Sequence, residues 1–421
     1  MTVLDGESPT RPDNDPNVGI RIATSASDDC RDAASVSAIY EQLVERLGAA
    51  PDLVIAYTTS AMTDSVDQWL DASVPAAVIG ATSCQQIMTD EGVFGATGAE
   101  HNRAIGLLGI SDPGGAYGVA IAPIEGDGAQ AACAAFSAAL TEADRPGELP
   151  ELVILHAASG TEEIAIAAID GLTGGNCPIV GATPADDGPN ENSSCHAGRT
   201  RFAAGVAVAV CFPSRRASTA FQGGYVPTGH RGVVTSVSDM VIHQIDGRPA
   251  AEVFNHWVDG AFDEALAAND GQPFAETTTW CLSREVDRTD VNGSSVPHYA
   301  LFDSGGVTDD HGLKIFVGIE EGQLVHLMTG NASSLPSRSA HVINAARADR
   351  MPTVAGGLVS YCAGYRFAPE VDLDDVHHAL ADAFDRQPFL LMFAFGEQGS
   401  LLSDASLHGN LMVSAATFDG G

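Results

Sequence analysis

The segment SYCAGYRFAPE, residues 360–370, carries the densest set of side chains able to do chemistry. Tyr361, Cys362, Tyr365 and Arg366 follow an apolar run directly, and Gly364 permits a turn among them. A guanidinium at Arg366 can take a ligand carboxylate through two parallel hydrogen bonds, and a thiol at Cys362 beside that charge would ionise more readily. The alternatives are a structural ion pair between Arg366 and one of fifty-five acidic residues, and a Cys362 that is simply core. A second strand end, FGEQG at 395–399, sets Glu397 between glycines, where its carboxylate could hold an ammonium group, act as a base or only shape a turn. Opposite charges at two strand ends suit one pocket for a zwitterion. If the protein is an enzyme, Cys362 is the nucleophile and His408 or Glu397 its base, a set suited to opening an amide or a lactam.

Two further strand ends repeat one phrase: PAAVIGATSCQQ at 75–86 and CPIVGATPADDG at 177–188. Their sequels supply Ser83 and Cys84 in the first copy and Asp186 and Asp187 in the second, all possible ligand contacts. Adjacent aspartates can hold a cation or an amine, although Asp-Asp-Gly-Pro-Asn is also an ordinary solvated turn.

These positions need elements to hold them, and the chain writes those elements twice. PDLVIAYTTS (51–60) aligns without gaps on PELVILHAAS (150–159), and each is followed by a helical stretch and then by a GAT strand. Helical spacing precedes both copies, at 35–48 and 129–143. Strands that are apolar throughout and alternate with helices belong to α/β layers covered on both faces. The expected fold is therefore α/β with layered mixed sheets: an internally duplicated domain over 30–215 and a second α/β domain over 220–421. Residues 1–29 read as a mobile tail.

A formal charge of −35, with Lys314 the single lysine, makes nucleic acid and anionic membranes poor partners. No run of eighteen apolar residues and no basic-then-apolar leader occurs, so a cytoplasmic location is expected. Eight cysteines without a C-x-x-C fit a reducing compartment better than a zinc site or disulfide framework. Phosphate-loop, dinucleotide, HExxH, GxSxG and EF-hand signatures are missing. Of thirteen histidines, His156, His196, His243, His326, His377, His378 and His408 are conceivable haem or metal ligands, but no pair has a ligand spacing, and no metal is expected.

Together these phrases resemble the FIST proteins, which join a FIST N-terminal domain to a FIST C-terminal domain. VIGATSCQ and PIVGATPADD are similar to that family's strand ends; IDGRPAAEVFNHWV resembles the start of its second domain; GLVSYCAGYR resembles a Ser-Cys-x-x-x-Arg element; FGEQG and LHGNLMV resemble its closing phrases. The resemblance spans about residues 30–418 and implies a sensory protein for a small molecule, amino acids being the ligands proposed for many members and haem for a nitric-oxide-sensing branch. It points to Cys362, Arg366 and Glu397 as functional residues, with Asp186 and His408 after them. A Thr associated with the closing phrase is absent, and no output domain is fused, so a separate signalling partner is implied.

Overall fold

A computed structural model of the chain describes residues 19–73, 77–96, 102–186, 193–268, 279–291, 294–330, 335–347, 351–367, 371–401 and 406–421. The first repeat runs β1 (Arg21–Ser27), α1 (Ala33–Leu47), β2 (Leu53–Thr58), α2 (Thr63–Ser73), β3 (Ala77–Thr82), β4 (Ile87–Thr89), β5 (Gly92–Phe94) and β6 (Ile105–Ser111). The second runs β7 (Ala116–Pro123), α3 (Gly128–Glu142), β8 (Leu152–Ala157), α4 (Glu162–Thr173), β9 (Ile179–Thr183), β10 (Cys195–Ala197), β11 (Thr200–Phe202) and β12 (Gly205–Phe212). The expected tail is thus too long, because Arg21–Ser27 pairs with β6 along its whole length.

A third copy of the same unit, unreadable as a repeat in the sequence, makes up the rest of the chain. It opens with β13 (Ala217–Gly223) and is then interrupted by an inserted sheet. That insertion comprises β14 (Val226–Ser238), β15 (Val241–Ile245), β16 (Arg248–Pro249), α5 (Ala250–Trp257), α6 (Asp263–Ala268), β17 (Trp280–Val291), β18 (Ser294–Phe302), β19 (Ser304–Val307), β20 (Leu313–Ile315) and β21 (Leu324–Thr329). The repeat resumes with α7 (Leu335–Arg347), β22 (Val354–Cys362), the short α8 (Gly364–Phe367), α9 (Leu373–Ala383), β23 (Phe389–Ala394), β24 (Gly396–Ser400), β25 (Ser406–Gly409) and β26 (Met412–Asp419).

Each repeat builds a six-stranded sheet around one parallel pair, β2 with β3, β8 with β9 or β22 with β23, and completes it with a borrowed hairpin. The second repeat lends β10–β11 to the first, the third lends β24–β25 to the second, and the first lends β4–β5 to the third. The exchange is cyclic, so the division expected near residues 215–220 is crossed by strand pairing in both directions.

The apolar strands are explained by this arrangement. Leu53, Ile55 and Tyr57 of β2 face a shared core with Leu152 and Ile154 of β8 and Leu358 of β22. The intervening Val54 and Ala56 face helices α1 and α2, and Val153 and Leu155 face α3 and α4. The third sheet packs its outer face on α7 and α9 through Val359, Phe389 and Leu391. A fully buried side chain of this size stabilises the fold by about 1.5–3 kcal/mol, which accounts for runs with no polar alternation.

Candidate functional site

The second and third repeats and the insertion enclose a cavity of about 600 Å³. Its polar lining comes from Ser159 and Glu162 of the second repeat, Asp303 of the insertion, and Cys362, His408 and Asn410 of the third. Met240, Ile315, Phe316 and Phe395 supply much of its apolar wall.

Local chemistry places each group. Helix α4 begins with two acids, which the positive end of a helix favours. Glu162 lines the cavity and accepts a hydrogen bond from Thr183 Oγ1 at 2.7 Å, so the Thr of the second GAT phrase holds a cavity carboxylate in place. Glu163 instead latches the insertion, taking Arg284 Nη2 at 2.8 Å and the Gly318 amide at 2.7 Å.

Strand β22 ends at Cys362, and the chain turns at Gly364 into α8. The backbone N–H groups of Gly364 and Leu411 lie near the Cys362 sulfur and favour its ionised form. Burial, followed by the neighbouring Glu397 carboxyl, pushes the thiol well above its ordinary value despite those donors. Glu397 is itself wholly buried, and that burial raises its carboxyl well above the usual range; the Met412 amide (3.0 Å from Oε2) and the Cys362 thiol oppose the shift. Its Oε1 has no partner of hydrogen-bonding geometry. An ionised, half-satisfied carboxylate in this position would cost several kcal/mol, so burial works against the charged forms of both Glu397 and Cys362.

His408 and Asn410 flank the closing hairpin. His408 Nδ1 and Asn410 Oδ1 are buried without hydrogen-bond partners, while Asn410 Nδ2 donates to the Phe395 carbonyl at 3.1 Å.

The structure therefore brings Cys362 and His408 to one cavity and sets Glu397 one layer behind them, in contact with Cys362 rather than on the cavity wall. Arg366 sits on α8, whose first residue lines the cavity; its side chain lies outside the described residues. Asp187 also lies outside them. Other expected contacts lie away from that cavity. Tyr361 and Tyr365 belong to an aromatic cluster on the outer face of the third sheet, 5.0 Å apart between ring centres, and the Tyr365 hydroxyl donates to the Leu411 carbonyl. Ser83 donates to the Gln86 carbonyl at 2.5 Å and accepts the Phe393 amide at 2.9 Å, while Cys84 is buried in the same core as the tyrosines. Asp186 is buried outside the cavity lining.

Glu162, Asp303 and Asn410 were missed by sequence reasoning. Glu162 was discoverable as the first residue of a helix that follows a strand end; Asp303 was not, because its position depends on the docking of the insertion.

Two histidines mark the interior instead. Tyr57 and His156 hold the same position in their repeats and meet at the shared core, hydroxyl to Nε2 at 3.5 Å, with His156 Nδ1 3.2 Å from the Ala182 carbonyl. Burial holds His156 down to about 4; burial, with Arg201 and His156 nearby, holds His196 down to about 3. Among the described residues no group of three or more His, Cys, Asp or Glu side chains is arranged to hold a metal.

A FIST N domain matches residues 52–248 and a FIST C domain residues 250–400, so the chain belongs to the FIST family, whose domains are small-ligand-sensing modules. No curated protein matches the chain. Among solved structures it is similar to cyanuric acid hydrolase from A. caulinodans, at 9% identity and a TM-score of 0.34, covering 95% of this chain and 99% of that one. It is also similar to PurLQS from Thermotoga maritima, at 10% identity and a TM-score of 0.21, covering 96% and 74%. No helix among the described residues is long and apolar enough to cross a membrane.

Proposed function

We propose that this FIST protein binds an amino acid or a similar small carboxylate in the cavity between the second repeat, the third repeat and the insertion. Binding would bias the docking of the insertion and so inform a separate output protein. One observation carries the reading: His408 Nδ1 and Asn410 Oδ1, both buried and unpartnered, belong to residues that line a 600 Å³ cavity. Buried polar atoms are costly unless satisfied, and a ligand toward which these two side chains turn would satisfy them. Glu162 and Asp303 suit an ammonium group, Met240, Phe316 and Phe395 an apolar side chain, and Arg366 the carboxylate end.

Isothermal titration with the twenty amino acids and with short carboxylates tests this. Binding of at least one, weakened tenfold or more in Asn410→Ala and in Arg366→Ala, is the expected result. Unchanged affinity in Arg366→Ala removes the clamp, and no binding by any compound removes the proposal. Cysteine-dependent hydrolysis is the less favoured reading, because burial first and the neighbouring Glu397 second push the Cys362 thiol upward, against the thiolate that acts as nucleophile.

A further inference from the structure

A second cleft, of about 320 Å³, lies between β13, β18 and α7. Its chemistry is the inverse of the main cavity's. The described lining of the main cavity holds Glu162 and Asp303 and no Arg or Lys, whereas that of the second cleft holds Arg338 and no Asp or Glu. In a chain of net charge −35 a cleft whose described lining holds a guanidinium and no acid is a marked local departure. Arg338 forms no ion pair with any described carboxylate. Tyr225 and Tyr299 give the cleft aromatic walls, and Phe221, Leu301 and Met328 add apolar surface. From Arg338 a narrow crevice continues inward past Tyr361, whose buried hydroxyl has no hydrogen-bond partner.

We propose that this cleft is a second binding site, for an aromatic carboxylate. The planar fork of Arg338 would take the carboxylate bidentately, and the flat ring would lie between the tyrosine walls. The volume is at the lower end of the range for small-molecule pockets, about 300–1,000 Å³. A relay of contacts links the two sites: Tyr225 stacks on Tyr365 with ring centres 6.1 Å apart, Tyr365 donates to the Leu411 carbonyl, and the Leu411 amide lies near the Cys362 sulfur of the main cavity. The second site does not depend on what the main cavity binds.

Fluorescence titration of the full chain with 2-naphthoate tests it, with naphthalene-2-carboxamide as the uncharged probe. Saturable binding of 2-naphthoate is expected, at least tenfold weaker in Arg338→Ala, intermediate in Arg338→Lys, and at least tenfold weaker for the carboxamide on the unaltered protein. Arg338 is exposed on α7, so its replacement should leave the fold intact, which circular dichroism checks. No binding of 2-naphthoate, equal binding of both probes, or equal affinity in Arg338→Ala would overturn the proposal. So would binding that survives Arg338→Ala but is lost in Asn410→Ala, because the probe would then occupy the main cavity.

Discussion

The ends of β3 and β9 begin alike and finish differently. At each, a glycine passes so close to the neighbouring strand that an added Cβ would lie 1.8 Å from a backbone oxygen, that of Ala56 for Gly80 and that of Leu155 for Gly181. Beyond that shared backbone the first end is sewn shut: Ser83 accepts the Phe393 amide, and the Cys84 amide donates to the Phe393 carbonyl at 2.9 Å. At the second, the Thr183 hydroxyl is turned to Glu162, and the seam stays open as a cavity. Repetition sets where the strands end; the few residues after the strand decide whether the end is stitched or used.

The largest test asks whether the two glycines are equivalent. Gly80→Ala and Gly181→Ala should each destabilise by about 3 kcal/mol or more, or prevent folding, since neither oxygen belongs to a side chain that can swing away. Urea unfolding measures both, and a mild effect in one alone would break the equivalence.

Next in size is the acid response of the interior that the repeats share. His156 and His196 have folded values near 4 and 3, below the unfolded 6.5, so the unfolded chain binds more protons across that interval. Their contribution is complete above about pH 6.5 and is lost as pH falls, at about 1.4 kcal/mol per pH unit for each histidine. His196→Asn should show a shallower loss than the parent in urea titrations at pH 7, 5.5 and 4.5; parallel curves would show that His196 does not titrate as placed.

A smaller pair of changes sharpens the contrast directly. Ser83→Ala should cost about 1–2 kcal/mol of stability and leave ligand affinity unchanged. Glu162→Gln should do the reverse, with under about 1 kcal/mol of stability lost and affinity for the bound amino acid down about tenfold. Calorimetry beside urea unfolding separates the two, and the same pattern in both variants would erase the distinction between the ends. The least effect is expected from iodoacetamide at pH 7, where Cys362 should label no faster than the other buried cysteines. Selective labelling of Cys362 would restore it as a nucleophile.

The α/β layers were legible because strands such as LVIAYT and LVILHA are apolar on both faces and are spaced by helices of clear periodicity. The third repeat was not, since the insertion from β14 to β21 separates β13 from α7 and Gly357, Ser360 and Cys362 replace the repeated hydrophobic wording. Cys362 and His408 could be picked out as reactive types beside strand ends, and they do share the cavity. The inward burial of Glu397 could not, because it follows from β24 pairing with β9 of another repeat, with Glu397 opposite Ala182. The tyrosines misled for a related reason: strand alternation turns Tyr361 to the helix-covered face, opposite the one that Leu358 presents to the shared core.

Hydrogen exchange with and without the tightest-binding amino acid tests the central claim most directly. Ligand bound at the open seam should slow exchange together at residues 159–163, 362–364 and 408–410, and leave residues 83–86 at the stitched seam unchanged. Protection at 83–86 with none at the other three segments would contradict it.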